Sequence, residues 1–423
     1  MMFPGPGTMN AIGVDASAAR RRLASRGWIG RDVESFRHLP PPAAEVWLGE
    51  EAGMSAAPGE TPAPTGAGWT LHAIAEHPQG RVDARWLDTG DAGQRSELLA
   101  GLPLAEVGDA APFAWAHRAL CRHGLRLRIG EPSGAGADPA MTTWLQLRHQ
   151  PRAAVEAPLL VIEVLAGTRC VLVETHEREA VEGQRAIVQN LHAHIRLGEG
   201  ATLQHVRVAT PRAGERIAHH LHVQLGRGAR YDQALIASAS AYHLQRSEIE
   251  LQSERSAARV FGVLFAAGSA LEQQVQVAHD APRTSSSVES LVLASGNARA
   301  VVNAHTRIAP GADEAAVRQR LSGIPISGQP KLVLRPHLEI HHDAVQAAHG
   351  ATWGALPQDA LFYARQRGLD ERHARALVIE GMAIALLERC LDGPALLQAL
   401  QLDALLARTV AEQFAAATEA RNG

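Results

Sequence analysis

Residues 334–380 read LRPHLEIHHDAVQAAHGATWGALPQDALFYARQRGLDERHARALVIE, and two periods meet inside this stretch. From Leu334 to Thr352 the chain is extended, with Pro336 near its start and the glycines at 350 and 354 near its end. From Leu356 onward the apolar residues recur at helical spacing. Arg335, Glu339, Asp343 and His349 sit among apolar residues at this junction, which is unusual for a simple linker.

Upstream, from Pro158 to Leu334, short apolar runs alternate with glycine-centred turns. Strands are expected over 159–165, 170–174, 187–191, 195–197, 203–208, 231–236, 247–251, 260–265, 274–277, 288–293 and 300–308. The turns repeat one phrase: Gly198-Glu199-Gly200-Ala201, Gly226-Arg227-Gly228-Ala229, then Gly268, Gly296 and Gly311. The glycines at 200, 228, 268, 296 and 311 are 28, 40, 28 and 15 residues apart. Uneven spacing of this kind suits a solenoid whose rungs differ in length. One short strand buries only alternate side chains, so rungs must stack to make a core. Aromatic residues are only 4% of the chain, which suits a narrow interior. The alternative, a sandwich or barrel, would use Asn-Gly or Asp-Gly hairpin turns, and this segment has none.

Downstream, Pro357 takes a first-turn position, Gly368 stops one helix and Asp370 caps the next. Ala374, Leu377, Val378, Ile384 and Leu387 form the expected apolar face. After Gly393-Pro394 a third helix is expected over 396–416, completing a small bundle. At the other end, residues 1–13 read as frayed and 15–26 as a helix capped by Asp15. A Pro-, Ala- and Gly-rich linker follows over 39–68, then helices over 96–104 and 111–123, with Gly124 as the stop. A strand is expected over 125–129, and the glycines of 134–137 mark a boundary. The fold class is therefore mainly β with α: a parallel β-helix core over 151–352, an N-terminal α/β region over 1–150 and a helical bundle over 353–423.

Bulk numbers exclude several classes. A chain of 423 residues with 46% hydrophobic and 20% charged residues is globular and exceeds one ordinary core. A net charge of −3 argues against a nucleic-acid surface. The start, MMFPGPGTMNAIG, lacks a basic region followed by an apolar run, and no apolar run spans a bilayer, so a cytoplasmic protein is expected. Cys121, Cys170 and Cys390 are too few for a disulfide framework and read as ordinary buried thiols. No phosphate-binding loop is present, so the chain should not hydrolyse nucleotides.

The phrases Arg335-Pro336-His337-Leu338-Glu339-Ile340, Asp343-Ala344-Val345 and His349-Gly350-Ala351-Thr352 are followed by Leu361-Phe362-Tyr363, Arg367-Gly368 and Glu380-Gly381. In order and spacing they resemble the C-terminal signature of the SufB/SufD family, scaffold proteins of the Suf iron–sulfur cluster assembly system. The resemblance implies a right-handed parallel β-helix flanked by helical regions, and a non-catalytic SufD-like subunit in a SufBCD complex. It implies a heterodimer with a SufB-like paralogue, with self-pairing of the isolated chain. An ABC-type ATPase, SufC, would dock on the helices at Leu361, Phe362, Tyr363, Arg367 and Glu380; alternatively these helices cover the end of the β-helix. No tightly bound cofactor is implied. Iron or a nascent cluster would be shared transiently with SufB, and a flavin in the complex stays an open question.

His349 is the site residue the resemblance selects, a cluster-assembly and metal-ligand candidate at the subunit interface. Imidazole suits iron and titrates near neutrality. The alternative is a hydrogen-bonded residue positioning a turn at Gly350. Many family members carry Cys two residues earlier; here it is Ala347, so a thiolate ligand would have to come from the partner. The 21 histidines also include His192-Ala-His194, His219-His220-Leu-His222 and His341-His342, expected on solvated strand faces rather than at a metal. Arg335 and Glu339 share a face of an extended run and are expected to pair. A β-helix enzyme acting on polysaccharide, or a structural β-helix protein with no cluster role, are the competing classes.

Overall fold

The computed structural model describes residues 16–50, 68–74, 80–102, 108–130, 142–177 and 186–411. The expectations for 1–13, Asp15 and 134–137 fall outside these residues.

From residue 159 onward successive strands alternate between two sheets. One runs β1 (Trp69–Ala73), β4 (Thr142–His149), β7 (Arg169–Glu177), β9 (Thr202–Thr210), β11 (Arg230–Ser238), β13 (Ala257–Ala267), β15 (Ser285–Gly296), β17 (Ala316–Gly328), β19 (Gln346–Trp353). The other starts with β2 (Val82–Asp88), β3 (His123–Ile129), β6 (Leu159–Val164), β8 (Val188–Leu197) and β10 (Arg216–Leu225). It continues through β12 (Tyr242–Leu251), β14 (Ala270–His279), β16 (Arg299–Ile308) and β18 (Lys331–Ile340), with the short β5 (Val155–Glu156) beside β8. Pairing is parallel throughout, except that β1 joins β4 and β2 joins β3 antiparallel. Each strand thus returns beside the one two before it, which makes the chain a β-helix and rules out the hairpin-built sandwich. Leu145, Leu172, Leu203 and Tyr231 from one sheet meet Leu160, Ala193, Leu221 and Ile249 from the other in one continuous core.

The corners explain the uneven glycine spacing. Where the chain passes from the second sheet to the first, a left-handed residue recurs at Gly167, Gly200, Gly228, Arg255, Arg283 and Glu314. Each sits over the next. The N–H of Gly200 donates to Arg227 O at 2.8 Å, Gly228 to Glu254 O at 2.9 Å, Arg255 to Pro282 O at 3.3 Å, Arg283 to Asp313 O at 2.7 Å and Glu314 to Ala344 O at 2.8 Å. Gly268, Gly296 and Gly328 belong to the opposite corner. Reading glycines alone mixed two series, because half of the first corner's left-handed positions are not glycine.

The strands are longer than the sequence runs suggest. The runs expected over 187–191 and 195–197 fall in one strand, β8, which starts at Val188, and β10 and β17 were not anticipated. Their apolar residues alternate with His, Arg and Gln, which hides the run in the sequence. Gly124 is not a helix stop but part of β3: a Cβ there would meet the Leu98 side chain at 2.6 Å and Leu159 O at 3.0 Å.

Among the described residues four N-terminal α-helices flank the second sheet: α1 (Ala16–Arg26), α2 (Ala44–Leu48), α3 (Ala92–Leu99) and α4 (Ala111–Leu120). The second lies inside the stretch expected to be linker. Trp28, Phe36, Trp47 and Phe113 pack with Tyr242 and Leu244 on the sheet's outer face. At the C-terminus, α5 (Gln358–Gln366), α6 (Glu371–Cys390), α7 (Pro394–Ala399) and a helix over 402–411 lie against the outer face of the first sheet. Ile379, Ala383, Leu387 and Cys390 face Ile236, Phe261, Val263 and Leu291. Asp392 bridges Arg230 and Arg259, and Arg389 reaches Glu289 at 2.7 Å. These helices therefore cover the side of the β-helix, not its end. The buried stripe is also rotated from the expected one, leaving Leu377 53% exposed.

At Gly228 a Cβ would find open space, so Gly228→Ala pays only for its left-handed φ and should lower the unfolding free energy by about 1 kcal/mol. Gly328→Ala would also press on Gly296 O, 2.6 Å away, and should cost at least about 2 kcal/mol. Urea denaturation of the two variants checks the order; equal losses would contradict it.

Candidate functional site

Among the described residues the solenoid has two edge strands at each end. At the first end these are β1 and β2, each paired antiparallel with one neighbour. At the last rung, among the described residues, β18 pairs only with β16 and β19 only with β17, both parallel. Both outer edges therefore present unpaired backbone groups, the condition under which a strand accepts another chain. Pro336 fits here, because an edge strand tolerates a residue without an N–H. Pro325 in β17 lies beyond the residues that β19 pairs.

His349 is on this rim. Its Cα partner is Gln319, which faces the interior and donates to Thr306 Oγ1 at 2.9 Å and His337 O at 3.1 Å. His349 therefore lies on the interior-facing side of the last rung, with no further rung to cover it, and is exposed. It has no hydrogen-bond or ion-pair partner among the described residues, and Gly350 lies within β19. The turn-positioning role is thus overturned. Trp353, 59% exposed, and Ile340, 45% exposed, add apolar surface to the two edge strands.

Other polar groups of the stretch pair differently from expectation. Arg335 binds Glu34 of the N-terminal region, not Glu339. Glu339 instead holds His341 at 2.7 Å and His305 at 3.4 Å. His342 pairs with Asp313. On α5, Phe362 is 65% and Tyr363 59% exposed, with the Arg367 guanidinium 4.4 Å from the Tyr363 ring centroid. Leu361 turns inward against the α6 cluster, and Glu380 is half-buried, which raises its carboxyl pKa. The five candidate docking residues thus split into an exposed aromatic–arginine face and two partly buried positions.

The histidine pairs are not all solvated. His192 and His220 are buried and stacked, ring centroids 4.6 Å apart, under His117 and Phe113 of α4. His219 is buried inside the solenoid. For His192 and His220 the expectation failed because the strand's outer face is itself covered by a helix, and for His219 because it points inward.

Inside the β-helix lies a polar cluster that the sequence reading missed. Glu174 is fully buried and accepts from His176 at 2.5 Å, His205 at 2.9 Å and Arg207 at 3.0 Å. Burial alone would raise its pKa; Arg207 and the two imidazoles outweigh that and hold it well below the usual range. Arg207 also donates to Gln245 at 2.8 Å, and His219 Nε2 meets Gln189 at 2.7 Å. The signal was available: Glu-x-His in β7 and His-x-Arg in β9 place polar groups at inward positions.

The three cysteines are free thiols. Burial pushes the Cys170 thiol up to about 12 and raises Cys390, while Cys121 is half-buried at the end of α4. Among the described residues no three His, Cys, Asp or Glu converge on a metal position, and no helix is long and apolar enough to cross a membrane.

The fold defines a class of protein, the parallel β-solenoid flanked by helices, here with an exposed edge rung after its last turn. The family model described as "SUF system FeS cluster assembly, SufBD core domain" matches residues 147–382, more than half of the chain. The chain belongs to this SufBD family of iron–sulfur cluster assembly proteins. It is similar to the iron–sulfur cluster assembly SufBD family protein of Synechocystis, 32% identical over 92 residues, 22% of this chain and 20% of that one. It is also similar to the iron–sulfur cluster assembly protein SufD of Escherichia coli, 30% identical over 94 residues, 22% of each chain. The chain thus aligns with only about a fifth of each relative's length.

The buried neutral histidines give the protein an acid limit. Burial lowers the His117 pKa to about 3 and those of His243 and His279 to about 4. Each binds a proton in the unfolded chain below about 6.5 but not in the folded one. Stability should therefore be full above pH 6.5 and fall by about 1.4 kcal/mol per pH unit per histidine toward pH 4. Thermal melts between pH 7.5 and 4.5 check this; a flat profile would contradict it.

Proposed function

We propose that this chain is a SufD-like scaffold subunit, without catalytic activity of its own, in a complex that assembles iron–sulfur clusters. The observation that carries the reading is the last rung: two unpaired edge strands with an exposed, unpartnered His349 on the interior-facing side. A SufB-like paralogue would add its own edge strands to β18 and β19 and so satisfy the open backbone groups. In the absence of that partner, a second copy of this chain could take the same edge.

His349 would serve the nascent cluster as a neutral imidazole ligand or proton-transfer group. Ala347 stands where many family members have Cys, and the chain's own thiols are remote or buried, so the thiolate would come from the partner. Iron and sulfide are cargo here, held in passing; a tightly bound cofactor, flavin included, forms no part of the reading. A SufC-type ABC ATPase would dock on the exposed Phe362, Tyr363 and Arg367 face. Because α6 and the turn after it are tied to the first sheet through Arg389 and Asp392, movement of the helices would be transmitted to the strands that lead to the rim. In the cell this assembly would be cytoplasmic.

His349→Ala should leave the unfolding free energy within about 0.5 kcal/mol, since the side chain is exposed. It should lower cluster formation in the reconstituted complex, read by iron and sulfide content. Unchanged assembly would reject the role. Phe362→Ala with Tyr363→Ala should weaken ATPase capture by about 2 kcal/mol, roughly thirtyfold, measured by pull-down and calorimetry. Intact affinity would reject the docking face.

A further inference from the structure

One interior column of the first sheet runs Leu172, His205, Gln233, Val260, Val288, Gln319 and His349, successive Cα partners from β7 to β19. It sets a histidine beside a glutamine twice. In the first pair both ring nitrogens and the amide oxygen are engaged. His205 Nε2 meets Glu174 Oε2 at 2.9 Å and His205 Nδ1 meets Tyr231 Oη at 3.1 Å. Gln233 Oε1 accepts from Tyr231 Oη at 3.1 Å and from Ser247 Oγ at 3.2 Å. In the second pair, on the last two strands, the same groups are idle. Gln319 is 2% exposed, and its Oε1 has no donor among the described residues. His349 is exposed, again without a partner among them.

The Gln319 amide is fixed in orientation. Its Nε2 donates to Thr306 Oγ1 at 2.9 Å and to His337 O at 3.1 Å. A carbonyl oxygen accepts and cannot donate, so the NH₂ must face β18 and the amide oxygen must face elsewhere. Gln319 is thus a strut from β17 to β16 and β18, directly beneath the last rung. Its Oε1 is left as a buried acceptor, and such an atom costs free energy until a donor reaches it. Within the column, one neighbour is Val288, whose side chain has no donor, and the other is His349. Adjacent strands lie about 4.8 Å apart, a gap that these two long side chains can close.

We propose that Gln319 is the positioning residue of His349, its Oε1 accepting the inward ring N–H. A neutral imidazole carries one N–H and one lone pair, and a bond at one nitrogen decides which nitrogen keeps the lone pair. With the N–H held by Gln319, the other nitrogen keeps its lone pair for the shared rim. Covering the edge strands with a partner would exclude water from the ring and strengthen the bond. The inference rests on the role proposed above for His349; the contact between the two side chains does not.

The test labels the histidines of the full chain with ¹⁵N and follows the His349 ring, identified by its loss in His349→Ala. Wild type, which needs no substitution, should show one neutral tautomer. Gln319→Met, close in shape but without the acceptor, should restore the mixture of tautomers of a free imidazole. Gln319→Glu should move the His349 titration to higher pH, because a carboxylate in contact favours the charged ring. Circular dichroism and thermal midpoint establish that both variants fold. In the reconstituted complex Gln319→Met should lower cluster formation about tenfold and add nothing to the loss caused by His349→Ala. A His349 ring with the same tautomers and titration in all three chains would overturn the assignment. So would full assembly by Gln319→Met where His349→Ala is impaired. An unimpaired His349→Ala would sink the function proposed above, and the ring titration would still decide whether Gln319 holds the imidazole.

Discussion

The whole molecule depends on one repeated hydrogen bond: a left-handed corner residue donating its N–H to the carbonyl just before the corner residue one turn later. From Gly200 to Glu314 this bond fixes the rung spacing, and the parallel strands then come into register without slippage. A ladder so built has no natural end, because every rung offers the next one an open edge. At the N-terminal end the edge strands β1 and β2 pair antiparallel. At the C-terminal end the edges are the parallel strands β18 and β19, and it is there that the family signature falls. The same residues that end the β-helix therefore form its last edge.

Stacking also explains where polar groups went. In a repeat of about one turn, side chains that share a phase in the sequence share a column in space. Leu and Val columns make the interior, while Glu174, His205, Arg207 and His219 fill part of that interior as a mutually satisfied cluster. A buried ion pair of this kind is weak as a source of stability and strongly costly to break. Outside, helices decide which columns remain wet. The N-terminal helices cover the 192–220 column and leave the 194–222 column in a cleft. The C-terminal helices occupy the first sheet's outer face, tied down by Asp392, and keep Phe362 and Tyr363 outward.

The sequence by itself determined the fold class, the helical tail and the family, because glycine corners, short β-rich runs and the phrases from Arg335 to Gly381 are local signals. Strand length and the strands β10 and β17 were not legible, since in a stack the polar outer residues are as well ordered as the apolar inner ones. Tertiary structure alone decided the rest. It put His349 on an uncovered rung rather than in a turn, and it turned Arg335 toward Glu34, because those partners are some 300 residues away in the chain. It also set Gln319 beside His349 in one column, because register between rungs is a property of the coil, not of any one strand.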